Sequence, residues 1–260
     1  MSRIHLNNPW SRLVAGALLA CLLVPAFAQD SPNIPRMADG KPDLTGVWWT
    51  GGDLGSDGYR STPGTDQGGQ YNLYTDLYTP AAQAHMETLT DKHDPTLNCK
   101  PTAFGTLSVR LFDVGTLGQI IATPQMMVFL QETFHGYQLI PTDGRAHRDY
   151  LPASYRGDAV GHWEGDTFVV ETKNFTGDTW IFAEGRVSFH SDQMRVVERY
   201  NMVDANTLTI DATVYDPEVL SQPWVVPTKT VIKAPFDQLL PLDCASTETA
   251  ELMSNAQSGN

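Results

Sequence analysis

Cysteine is scarce in this chain: three in 260 residues, Cys21, Cys99 and Cys244. None lies at metal-ligand spacing from another cysteine or from a His pair, which argues against a zinc module, a CxxC redox site and a CxxCH haem attachment. A G-x-S-x-G elbow, a P-loop and a dinucleotide fingerprint are also missing, so most elbow hydrolases, NTPases and Rossmann dehydrogenases are excluded and no cofactor is expected. Basic residues are outnumbered, 17 Lys and Arg against 30 Asp and Glu, for a formal charge of −13, and they form no run. Without a basic patch there is no electrostatic footprint for nucleic acid or for an anionic membrane, and the acidity reads as a solubility device. Long apolar runs are missing too. The longest, Leu13 to Val24, falls short of the ~20 residues that a helix needs to span a bilayer, so no stable membrane insertion is expected.

What the chain does have begins with a secretory pattern. Arg3 and Arg12 precede that apolar run, and Ala26-Phe27-Ala28 follows it with small residues at the cleavage positions. We expect residues 1–28 to be a signal peptide and the mature chain to start at Gln29 in the periplasm or medium. A competing reading makes Leu18-Leu19-Ala20-Cys21 a lipobox with a lipidated Cys21; it ranks second because only a short apolar run precedes it. Loss of Arg3 and Arg12 leaves fifteen basic residues against thirty acidic ones, a charge of −15. Cys99 and Cys244 then stand alone in an oxidising compartment, and we expect them to pair. That bridge would close a loop of 146 residues, for which the chain-entropy model gives about 4 to 5 kcal/mol.

The mature chain reads as one all-β domain with a minor helical part, residues 29–245, followed by a flexible tail over 246–260. Residues 51–72, rich in Gly, Ser and Asp, read as a long loop or lid. Residues 80–92 read as the one short helix, with Pro80 suited to its first turn. From there on strands dominate. Expected strands cover 118–122, 126–132, 137–141, 159–163, 167–172, 194–200, 207–215 and 224–233, separated by turn residues such as Thr123-Pro124-Gln125, Asp143-Gly144 and Glu164-Gly165-Asp166. In the second of the long strands Leu208, Ile210, Ala212 and Val214 alternate with Thr207, Thr209, Asp211 and Thr213, which means one buried and one wet face. Pro227 interrupts the last strand and suits an edge or a bulge. Eight to ten short antiparallel strands predict a barrel or a sandwich.

Several blocks carry a resemblance. Pro35-Arg36-Met37-Ala38-Asp39-Gly40-Lys41-Pro42-Asp43-Leu44-Thr45-Gly46-Val47-Trp48, Cys99-Lys100-Pro101, Glu132, Asp143-Gly144-Arg145-Ala146-His147, Gly161-His162-Trp163-Glu164-Gly165-Asp166-Thr167, His190-Ser191-Asp192, Glu198-Arg199-Tyr200, Asp216-Pro217 and Pro223-Trp224 together resemble a large family of exported, mostly uncharacterised bacterial proteins. The resemblance implies an antiparallel lipocalin-like β fold. Gly46-x-Trp48 also resembles the G-x-W that opens the first strand of lipocalins. The chain departs from the family pattern at His162, where Arg is usual, at Ala159, where Ser is usual, and at Tyr137-Gln138, where an Arg is common. No catalytic residue is carried over from the family.

Candidate chemistry rests on a few side chains. His147 and His190, with Glu198 or Asp158, would form an acid–base set if they met at one barrel mouth, since imidazole exchanges protons near neutrality. Singly, each His more often holds a loop in place. Tyr155, His162, Trp163 and Trp180 are candidate ligand contacts, although large aromatics in a β protein usually belong to the core. Glu164 and Asp166 are foremost turn residues. His147, His162 and His190 are too widely spaced to suggest a metal site. The expected partner is a small apolar or aromatic molecule in a barrel pocket, bound and sequestered, or converted by cofactor-independent lyase, isomerase or hydrolase chemistry.

Overall fold

The computed structural model describes residues 33–49, 73–103, 118–131, 136–182 and 187–239, all within one unit, Pro32–Asn260. Among the described residues nine strands carry it: β1 Gly46–Trp49, β2 Gly118–Ala122, β3 Met126–Gln131, β4 Tyr137–Pro141, β5 Asp158–Glu164, β6 Thr167–Lys173, β7 Arg195–Asp204, β8 Thr207–Tyr215 and β9 Trp224–Lys233. The sheet order is β4-β3-β2-β1-β9-β8-β7-β6-β5, and every ladder is antiparallel. The fold is an all-β meander curled into a nearly closed barrel, with β9 returning to pair with β1. Eight reversals of direction across the nine strands leave the two outermost, β4 and β5, pointing the same way. The antiparallel ladder therefore cannot close between them, and they pack side by side as a seam.

Side chains and short loops fill that seam. Gly144 N–H donates to the Gly161 carbonyl at 2.9 Å, and Gln138 Nε2 donates to the Arg156 carbonyl at 2.8 Å. The Arg156 guanidinium in turn donates to Gln131 Oε1. Gly161 has to be glycine here, because a Cβ would run into the Phe168 ring and meet Ile140 Cγ2 at 3.2 Å.

Local sequence explains the strands. β7 and β8 bury every second residue, and the β5–β6 hairpin turns at Gly165, whose φ of 62° is the left-handed region that glycine enters without penalty. β7 runs four residues further than expected, because Asp204 stays in the ladder opposite Thr207 and turns the chain by accepting the Asn206 N–H at 2.7 Å. β9 is central, between β1 and β8, so Pro227 marks a bulge and not an edge. Ile210 lies opposite Lys229 while Ala212 lies opposite Val226, so two residues of β9 face one of β8.

The helical expectation over 80–92 is corrected. Helix α1 covers only Pro80–Met86, capped by the Thr79 side chain, which accepts from Ala82 N–H. Thr88 ends it by donating its hydroxyl to the His85 carbonyl at 2.7 Å, and Thr90 starts a separate 3-10 turn at Asp91–His93, followed by another at Pro95–Asn98. Local hydroxyl bonding of this kind competes with the helix ladder. The stretch 51–72, the cleavage region, Cys21, Glu132, Cys244 and the tail lie outside the described residues.

Candidate functional site

The barrel interior holds two apolar clusters. One gathers Trp48, Ile120, Phe129, Ile140, Phe168, Tyr200, Ile210 and Val231 among others. The other joins Met194, Val196, Ala212, Val214, Trp224 and Val226 to Phe175, Tyr74 and Tyr78. Between them lies a polar belt, visible when each strand is followed inward residue by inward residue. On β6 the belt position is Thr172, beyond Val170; on β7 it is Glu198, between Val196 and Tyr200; on β9 it is Lys229, between Val226 and Val231. On β3 and β4 it is Gln131 and Gln138, beyond Phe129 and Ile140. Burial is nearly complete: Glu198 is 1% exposed, Thr172 3%, Lys229 4% and Gln138 8%.

Each strand aims its belt residue by a local device. Glu198 faces inward by plain alternation, with Val170 and Ala212 as cross-strand neighbours. Lys229 faces inward only because of the Pro227 bulge; strict alternation from Val226 would turn it outward. Gln138 is oriented by its amide nitrogen on the Arg156 carbonyl, which leaves Oε1 without a hydrogen-bond partner, as is Thr172 Oγ1. Two buried indole N–H groups, Trp163 Nε1 and Trp224 Nε1, are likewise unpartnered. Glu198, Lys229, Tyr200 and Arg156 each have interaction partners. Buried polar atoms are nearly always hydrogen-bonded, so such orphans call for an occupant.

The residues singled out from sequence fall in different places. His147 lies on the outer face of the sheet, where Nδ1 is 3.1 Å from Asp158 Oδ2 and Nε2 is 3.2 Å from Glu171 Oε1. Asp158 also takes the Arg148 backbone N–H at 3.0 Å and the Arg148 guanidinium, and Glu171 takes Arg195 and Lys173. Burial pushes both carboxyls up, but the donors on each outweigh it and hold them below their ordinary values. The set staples the 142–151 loop to β5, β6 and β7. His190 is buried in the apolar end of the molecule. Its Nε2 is 2.9 Å from Thr179 Oγ1 and its Nδ1 is 2.8 Å from the Ser191 carbonyl, which assigns the proton to Nδ1. Desolvation lowers its pKa against the pull of the Ser191 carbonyl and the Asp216 charge.

His147 and His190 thus share no contact, and neither touches Glu198 in any described interaction. Asp158 pairs with His147 on the outside, while Glu198 points into the barrel. Of the candidate ligand contacts, His162 is exposed beside Glu164 at 3.2 Å, Tyr155 is a surface ring under Lys100 at 5.9 Å, and Trp180 is buried in a bridge to Phe189. Trp163 packs on Phe168, with ring centroids 5.1 Å apart, next to the first apolar cluster. Glu164 pairs with Arg199 at 2.6 Å and Asp166 forms a two-pronged pair with Arg36 at 2.7 Å, clasping the segment before β1 onto the hairpin. Among the described residues no group of His, Cys, Asp and Glu is arranged to hold a metal. Sequence reasoning missed Lys229, Thr172 and Gln131, and reached Gln138 only as a departure from the family pattern. The signal available for them was a polar residue at an inward position of an alternating strand, which for Lys229 required placing the bulge.

Searches against protein-family models, curated proteins and solved structures find no match to this chain. The class defined by fold and site is accordingly structural: a nearly closed nine-strand antiparallel barrel with a polar belt between two apolar layers.

Proposed function

We propose that this chain is an exported, lipocalin-like binding protein, akin to the family its motifs resemble, which receives a small apolar or aromatic molecule inside the barrel. The observation that carries the reading is the pair of buried, unpartnered atoms on the belt, Thr172 Oγ1 and Gln138 Oε1, set between two apolar layers. Ligand pockets combine such apolar walls with a few placed polar groups. The signal-like first 28 residues and the oxidising compartment they imply support export, and the bonded state of the Cys99 sulfur supports the bridge to Cys244. The acidic balance speaks for a small-molecule partner over nucleic acid.

A second reading, cofactor-independent lyase, isomerase or hydrolase chemistry, draws its support from Glu198, a carboxylate buried on the belt. A buried carboxylate beside a bound molecule is a candidate general base. His147 and His190 contribute less to it, because both nitrogens of each ring are already engaged. The deciding experiment incubates the purified protein with a metabolite extract and identifies by mass spectrometry what is retained and what is converted. Retention of an unchanged molecule supports binding, conversion that ceases in Glu198→Gln supports the enzyme, and neither outcome overturns both.

A further inference from the structure

Resting on the binding reading above, we infer that the belt recognises a neutral hydroxyl group, so that the ligand is a phenol or an alcohol with an apolar body and not a carboxylate, a phosphate or a bare hydrocarbon. Three observations lead there. Gln138 cannot exchange its amide ends, because the Arg156 carbonyl takes Nε2 at 2.8 Å and would face a second oxygen if the amide were flipped. The unpartnered atom on that side chain is therefore an acceptor, which needs an O–H or N–H from the occupant. Thr172 Oγ1, the other orphan, both donates and accepts, so a hydroxyl group suits either atom, while an anion leaves Gln138 Oε1 facing negative charge.

The two side chains belong to one corner of the barrel. Gln138 bonds the carbonyl of Arg156, and the next residue, Gly157, passes so close to Thr172 that a Cβ on it would lie 2.8 Å from Thr172 Cγ2. Glu198 extends the acceptor character of the same corner, since it lies opposite Val170, the inward residue next to Thr172 on β6. With the Lys229 ammonium on the same belt offsetting its carboxylate, the belt has no net charge that would favour a ligand anion. The apolar layers on either side of the belt accept the body of the molecule.

The test compares three probes of nearly equal size by isothermal calorimetry and thermal shift: p-cresol, its methyl ether and p-toluate. A site built to pair with a hydroxyl rejects an analogue lacking it by large factors, up to about 10⁵, because its buried polar atoms stay unpaired. We expect p-cresol to bind at least roughly tenfold more tightly than either of the others. Thr172→Val, which removes an atom that bonds nothing in the free protein, is expected to keep the melting temperature and to shrink that preference; Gln138→Leu is a second variant with the same expected loss of discrimination. Equal binding of p-cresol and the ether overturns the hydroxyl inference and leaves the binding reading standing, and so does tightest binding of p-toluate. No response to any probe assigns the two atoms to ordered water and overturns the inference together with the binding reading.

Discussion

His147 gives both ring nitrogens to carboxylates, Asp158 and Glu171, on the outside of the barrel, and His190 gives both of its own to Thr179 and Ser191 in the interior. Imidazoles bound in this way hold structure together. The buried ring also leaves a mark on pH dependence. Burial holds its folded pKa below the ordinary histidine value of about 6.5, so the unfolded chain binds the proton more readily, and the stability it contributes is present above that value and is lost as pH falls towards the folded pKa. Asp158 and Glu171 act lower on the scale: their pKa values are depressed in the fold, so their contribution is present above the unfolded carboxylate values and vanishes as pH falls through the folded ones. The expected result is a melting temperature that declines from pH 7 to 5 and again below about 4, with the first decline flattened in His190→Gln. Thermal scans by circular dichroism check it, and an unchanged slope between pH 7 and 5 in that variant would sink the assignment.

At the scale of elements, the bulge in β9 decides which side chains reach the interior. Val226 and Lys229 both face inward although they are three apart, and Val231 follows in the apolar cluster. Deleting Thr228 restores plain alternation and keeps Val226, Lys229 and Val231 inward, at the loss of the Thr228 hydroxyl bond to Asp211. Deleting Thr230 instead turns Val231 outward, although it is 1% exposed in the native barrel. We expect the first deletion to fold with a modest loss of stability and the second to lose about 3 kcal/mol or more, or not to fold. Urea titration of the two proteins separates the outcomes, and equal stability would contradict the register. Gly157 offers a parallel case. Its φ is 68°, and a Cβ would sit 2.5 Å from the Lys173 carbonyl oxygen and 2.8 Å from Thr172 Cγ2, so Gly157→Ala is expected to cost roughly 1 to 3 kcal/mol in the same titration.

For the whole molecule, the odd strand number leaves a seam that an antiparallel ladder cannot seal; Gln138 reaches the Arg156 carbonyl there and the Arg156 side chain reaches Gln131. Cys99 lies in the segment between α1 and β2, ending the 3-10 turn Pro95–Asn98 with φ 57°, far in sequence from Cys244. A bridge between them would tie the segment before β2 to the chain beyond β9. It should reveal itself as the absence of free thiols when the non-reduced, denatured protein is alkylated and weighed by mass spectrometry. Reduction should then lower the melting temperature by many degrees, since a few kcal/mol is large against a total stability of roughly 5 to 15. Two alkylated thiols in the non-reduced protein would refute the bridge.

The strands were legible in the sequence because period-2 alternation and Gly or Asp turns are local properties, and β2, β4, β8 and β9 appear with the bounds that pattern implies. The positive φ of Gly165 was legible for the same reason. The helix was overdrawn because composition favours helix beyond Met86, whereas the Thr88 and Thr90 hydroxyls divert the backbone. Glu198 could be singled out from its motif, yet its inward direction is a matter of which sheet face closes on itself. Gln138 and Thr172 are 34 residues apart and became neighbours of one turn only when the barrel curled. By itself the sequence determined strand positions, turns and the scarcity of cofactor motifs, all of which depend on residues near one another in the chain. Only the tertiary structure decided that the histidines lie apart and that five polar side chains from five strands form one belt, because closure of a sheet joins residues that no local pattern connects.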